Sequence, residues 1–132
     1  MAFHIGCAYF QETPHAFTPD RHRYVVLTNV DAFDSIVVAT FSSIKTTPSG
    51  RVRKYDKTCL VNPGDHPFVV RPSFIEYRLT DFVIKTRLEE NLRTGKIVQL
   101  DQDVSTELLD RIIEGAIVSV HTPQDVVAEL LN

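Results

Sequence analysis

The residues best suited to chemistry are a basic trio, Arg21, His22 and Arg23, two hydroxyls closing an apolar run, Ser42 and Ser43, and a turn that carries Asp65, His66 and, a few residues on, Arg71. An arginine's planar fork gives two parallel hydrogen bonds to a phosphate and stays charged at physiological pH. A histidine titrates near pH ~6.5 and serves as acid or base. Asp65 beside His66 would orient the ring. Between these groups runs a basic stretch with Lys45, Arg51, Arg53, Lys54 and Lys57 around Tyr55, a composition able to track a single-stranded backbone and stack one base. Together they could hold an anionic group such as a phosphate and move a proton, and composition and motif by themselves lead no further than a globular α+β domain.

Each group also has a plainer reading. Arg21 to Arg23 precede an apolar run and suit solvated surface. Ser42 and Ser43 suit satisfaction of backbone groups at a strand end. His66 suits a structural bond to loop carbonyls, Asp56 and Asp65 suit turn bonds, and Pro67 with Phe68 suits packing of the turn. A metal on His66 and Asp65 lacks a further ligand at useful spacing. No Gly-rich phosphate loop or nucleophile elbow occurs, and neither metal nor cofactor is expected.

The elements that must position these residues follow from patterning. A chain of 132 residues, 43% hydrophobic and 23% charged, suits one domain over residues 1–132. Residues 1–80 hold 9 Lys and Arg against 7 Asp and Glu, and residues 81–132 hold 5 against 10. A mildly cationic front and an acidic back are compatible with an anionic ligand at the front. Cys7 and Cys59 form neither a CxxC nor a disulfide framework. No run approaches the ~18 apolar residues of a membrane span, and the reading is cytoplasmic.

Short strands are expected over Phe3 to Phe10, Arg23 to Val30, Ser35 to Ser43, Thr58 to Val61, Phe74 to Leu79 and Asp81 to Thr86. Gln11 to Asp20, with Pro14 and Pro19, reads as a loop. Asn62-Pro63-Gly64-Asp65 has the pattern of a type II turn. Helices are expected near Arg87 to Gly95, after an N-cap at Ser105, and after an N-cap at Thr122 followed by Pro123. The fold class is α+β, a small antiparallel barrel or curled sheet followed by C-terminal helices.

The order of these segments resembles the PemK/MazF-like toxins of bacterial toxin-antitoxin systems. RHRYVVLTN is similar to their arginine-led strand, IVVATFSS to their Ser/Thr-ended strand, and DFVIKTRL to the segment before their helix. TCLVNPGDHPF with ELLDRIIEGAIVSVHTP resembles a divergent branch with a PGDHPF turn. The resemblance spans roughly residues 20–125. It implies an SH3-like barrel, a homodimer, an antitoxin protein as partner and a toxin that cleaves single-stranded RNA without a metal, a reaction that needs a base for the 2′-hydroxyl, an acid for the 5′-oxygen and a cation for the charge gathering on the phosphate. It also implies that Arg23 stabilises the scissile phosphate and that Ser42 pairs with it; beside them, on the chemistry of the imidazole, His22 or His66 could act as the acid or base. Arg21, His22, Ser43, Arg53, Lys54 and Arg71 would then bind substrate. ETPHAFTPDRHR stands where these toxins carry a Gly-rich loop, a departure that favours the alternative, a non-catalytic binding module on the same fold.

Overall fold

The computed structural model describes residues 3–13 and 20–132. Among these residues the chain runs β1 (Ala8–Thr13), β2 (Asp20–Val26), β3 (Ser35–Ser43), β4 (Leu60–Val61), β5 (Ser73–Ile75), a 3-10 turn (Tyr77–Leu79), β6 (Asp81–Ile84), α1 (Lys85–Arg93), β7 (Ile97–Gln99), α2 (Thr106–Val118) and α3 (Gln124–Leu131). The class is α+β. Every strand pair is antiparallel, in the order β4-β5-β3-β2-β1-β7, and β6 also pairs with β3. No pairing joins β4 to β7 among the described residues, so the sheet is open.

The long strand β3 organises the sheet because its apolar run lets both faces be covered. Val38 to Phe41 pair with β2, while the opposite edge takes β6 along Ser35 to Val38 and β5 along Phe41 to Ser43. Between those two short strands the Glu76 amide donates to the Thr40 carbonyl at 2.9 Å. On one face Val37, Ala39 and Phe41 pack with Val25, Ile75 and Tyr77 beneath Leu108, Ile112 and Ala116 of α2 and Val126 of α3. On the other, Ile36 and Val38 pack with Phe3, Tyr9, Leu88 and Ile97. Burying one side chain such as Ile112 contributes about 1.5–3 kcal/mol. No helix among the described residues is long and apolar enough to cross a membrane.

Several boundaries differ from expectation, each for a local reason. The first strand begins at Ala8 rather than Phe3 because the chain turns first: Gly6 sits at φ +88° and the Cys7 amide donates to the His4 carbonyl at 3.0 Å. It then continues to Thr13, into the expected loop, whose residues 14–19 with Pro14 and Pro19 lie outside the described residues. β2 starts at Asp20 rather than Arg23 and ends at Val26 rather than Val30, so Arg21 and His22 lie within the strand instead of before it. β7, with no sequence pattern of its own, pairs with the outer edge of β1. Helix α3 is entered through Pro123 with no side-chain cap, while the expected cap, Thr122, is buried.

Other local expectations match the structure. The Ser105 hydroxyl accepts from the Leu108 amide at 3.1 Å at the start of α2. Gly64, at φ +97°, closes the turn in which the Asp65 amide donates to the Asn62 carbonyl at 3.0 Å.

Asp56 ties the end of the basic stretch to the end of α2. Its carboxylate accepts from the Thr58 amide at 2.9 Å and from the Ser119 hydroxyl at 2.7 Å. Burial by itself would raise this carboxyl, but the bonds from Thr58 and Ser119 outweigh it and hold it below the usual range. A depressed folded pKa adds stability above the unfolded value of about 4 and loses it as pH falls through the folded one. Asp56→Asn is therefore expected to lower stability by about 1 kcal/mol at neutral pH. Urea unfolding of both proteins across pH checks this, because the gap between them should close in acid.

Candidate functional site

The N-terminal half of β2, the C-terminal end of β3, the basic stretch and the segment after the Asn62 turn converge on a cleft of about 870 Å³. Among the described lining residues its charge is one-signed. Arg23, Lys45, Arg53 and Arg71 line it with His22, and no acidic side chain is among its described lining residues. The placement of each cation follows from backbone structure. Arg23 faces Phe41 across the β2–β3 pair. Thr46 bridges to Val52, Gly50 makes the bend at φ +87°, and the Arg53 amide donates to the Lys45 carbonyl at 2.9 Å. Those bonds bring Lys45 and Arg53 side by side although eight positions separate them. Arg71 is held by its carbonyl, which accepts from the Ser73 hydroxyl at 2.9 Å.

Phe68 forms the apolar floor. Its ring meets Phe41 edge-on at 5.0 Å, and the Arg23 guanidinium lies over it at 5.5 Å. Such a cation–π contact contributes about 0.5–1 kcal/mol at an exposed site and aims the fork at the cleft. His66 stands behind Phe68, ring to ring at 4.4 Å. It is 3% exposed, with Nε2 at 2.6 Å from the Gln102 carbonyl and Nδ1 at 3.3 Å from the Phe68 amide. A carbonyl can only accept and an amide N–H can only donate, so Nε2 carries the proton and Nδ1 accepts. Both ring nitrogens are thereby occupied in fixing the loop.

His66→Ala should leave the Gln102 carbonyl and the Phe68 amide without these partners and remove the support behind Phe68. A loss of roughly 2 kcal/mol is expected from the unsatisfied groups and the small cavity, readable as a shift in the urea midpoint. His66→Gln, which can restore one bond, should lose less.

The serines divide between two faces. Side chains alternate along a strand, so Ser43 shares the face of Phe41 and Arg23, whereas Ser42 points the other way. The Ser42 hydroxyl donates to Glu76 Oε1 at 2.8 Å, and Glu76 Oε2 pairs with Arg78 at 2.6 Å. Ser42 thus meets the cleft only at its rim, its hydroxyl committed to a carboxylate. Of the residues singled out from sequence, His22, Arg23, Ser42, Ser43, Arg53 and Arg71 line this cleft. Lys54 lines a neighbouring one, and the Arg21 side chain lies outside what the structure describes.

Two contributors escaped sequence reading: Phe68, which reads as packing of the turn, and Glu76, which reads only as part of the expected strand from Phe74 to Leu79, whereas Lys45 was visible as one charge of the basic stretch. Only Phe68 offered a signal, because a phenylalanine in a turn segment between His66 and Arg71 can serve as a ring face as readily as a core residue.

Comparison of the chain with protein-family models, with curated proteins and with solved structures returned no match.

Proposed function

We propose that this protein binds the phosphate backbone of single-stranded RNA in the cationic cleft. The observation that carries the reading is the convergence of Arg23, Arg53, Arg71 and Lys45 around an aromatic floor. Arginine forks take phosphate oxygens in pairs, and Phe68 offers a ring face to a sugar or base. The resemblance to PemK/MazF-like toxins supports the same ligand. On that reading the open sheet is a divergent SH3-like barrel, the active unit is a homodimer, and the partner is an antitoxin whose acidic segment competes with RNA for the cleft.

A second reading, metal-independent endoribonuclease action as a toxin, is favoured by His22 in the same cleft as Arg23. His22 takes the proton of a 2′-hydroxyl as that oxygen attacks phosphorus. Arg23 and Arg53 hold the charge of the pentacoordinate phosphate. The 5′-oxygen leaves with a proton from water, giving a 2′,3′-cyclic phosphate and a 5′-hydroxyl. Against it stand the commitments of His66 and Ser42, which leave fewer groups for proton transfer and favour the binding module.

Incubating the protein with end-labelled single-stranded RNA in the presence of a chelator separates the two readings. Cyclic-phosphate products that disappear in His22→Ala establish the nuclease, with a loss of about 10²–10⁴-fold in rate expected for a general base. Binding without products establishes the module. Absence of any binding sinks both.

A further inference from the structure

A second cleft, of about 630 Å³, opens beside the first and shares Arg53 with it. Its wall is aromatic: Tyr55 packs on Phe74 with ring centroids 5.2 Å apart. The ammonium of exposed Lys57 lies 5.6 Å from the centre of the Tyr55 ring. Its polar end is a carboxylate beside a guanidinium. Glu76 accepts from Ser42 at one oxygen and pairs with Arg78 at the other, its side chain 18% exposed against 67% for Arg78. A carboxylate has about four acceptor positions, so these two bonds leave it room for more.

We propose that this second cleft holds one guanine of the bound strand, stacked on Tyr55 and read by Glu76 and Arg78. The proposal rests on the reading of the first cleft as an RNA-backbone site. Guanine presents along its Watson–Crick edge an acceptor, O6, followed by two donors, N1–H and N2–H. Arg78 offers the donor and Glu76 the acceptors in the matching order. Uracil, cytosine and adenine each offer a carboxylate a single donor group on that edge. Unstacked bases are read in this way, by ring stacking and by their Watson–Crick edges.

The geometry also orients the strand. Phe74 lies opposite Ser42 in the β3–β5 pair, and Glu76 follows two positions later, toward the same side. Stacking surface and reading edge therefore lie on one face. Arg53, on the rim of both clefts, is placed to hold the phosphate between the flipped base and the strand in the first cleft. When a base takes the face of Tyr55, Lys57 moves from the ring to a flanking phosphate. Asp56, tied to Ser119 at the end of α2, keeps the backbone beside Tyr55 from following.

The test uses native protein and fluorescein-labelled oligouridine carrying one central guanosine, inosine, adenosine or cytidine, with anisotropy as the readout. The guanosine strand is expected to bind about tenfold tighter than all-uridine, and inosine, which lacks the 2-amino group, to lose most of that gain. Glu76→Gln should abolish the guanine preference, and Tyr55→Leu should weaken the guanosine strand roughly tenfold. Equal affinity for all five strands overturns the guanine site and leaves the backbone reading standing. No binding of any strand overturns the backbone reading itself. The inosine arm needs no variant, so the proposal stays testable if Glu76→Gln does not fold.

Discussion

Replacing Arg23 and Arg53 together by alanine is expected to weaken binding of a single-stranded oligonucleotide about 100-fold at physiological salt. The size follows from the strength of charged hydrogen bonds to phosphate. One such bond is worth about 1.5–3 kcal/mol, and a factor of ten corresponds to about 1.4 kcal/mol, so two guanidinium–phosphate pairs account for it. The salt dependence gives a sharper readout. Each neutralised phosphate of a single strand contributes a slope of roughly −0.7 to log K against log salt, and the double variant should lose about twice that. Anisotropy titrations at four salt concentrations measure both quantities. An unchanged slope would mean that neither arginine meets a phosphate, whatever happened to affinity. Arg71→Ala should shift affinity less than the double variant, because it removes one cation from the cleft instead of two. A melting curve controls for removal of the Arg23–Phe68 pairing, which costs about 0.5–1 kcal/mol and does not unfold the domain.

The largest effect on stability is expected at a position with no chemistry. Gly115 lies in α2 and is buried against Tyr77. A Cβ built there would stand 2.1 Å from the Tyr77 hydroxyl oxygen and 2.9 Å from the ring carbon bearing it. Tyr77 itself is fully buried, and its hydroxyl donates to the Ile112 carbonyl at 2.8 Å. Helix propensity alone favours alanine over glycine by about 1 kcal/mol. Packing overrides it here, because the tyrosine can move only by driving its ring into the core and stranding its hydroxyl. Overpacking costs about 1–3 kcal/mol and an unsatisfied buried hydroxyl about 1–3 more. Gly115→Ala should accordingly lower stability by roughly 3 kcal/mol, a fall in Tm of about 10 °C for a domain of this size. Thermal and urea unfolding measure it. Adding Tyr77→Leu should cost less in the alanine background than in the native one, since there it also relieves the clash. Additive losses would place the strain elsewhere.

The two effects originate in different layers of the sequence. Arg23 and Arg53 both line the first cleft, and their capacity to hold a phosphate was legible from residue type, because a guanidinium keeps the same chemistry wherever the chain carries it. Gly115 was not legible. A glycine inside a helical pattern reads as a weak point, and only the arrival of Tyr77 from 38 positions earlier makes it a requirement. His66 was read both as acid or base and as a structural group. Its burial and its two bonds, to Gln102 and Phe68, describe the structural state, and the more distant partner lies on a segment with no local relation to the PGDH turn.

By itself the sequence determined what depends on neighbours a few positions away. The apolar run of β3, the Ser105 cap of α2 and the Gly64 turn are such features, and each is found in the structure. Tertiary structure alone decided the register of β2 on β3, and with it that Arg23 shares a face with Ser43 while Ser42 turns to Glu76. It also decided that β7 joins the sheet and that Arg53 stands between two clefts. The physical reason is the period of two along a strand. A one-residue slip in pairing exchanges the faces, and pairing is set by contacts between segments rather than within them.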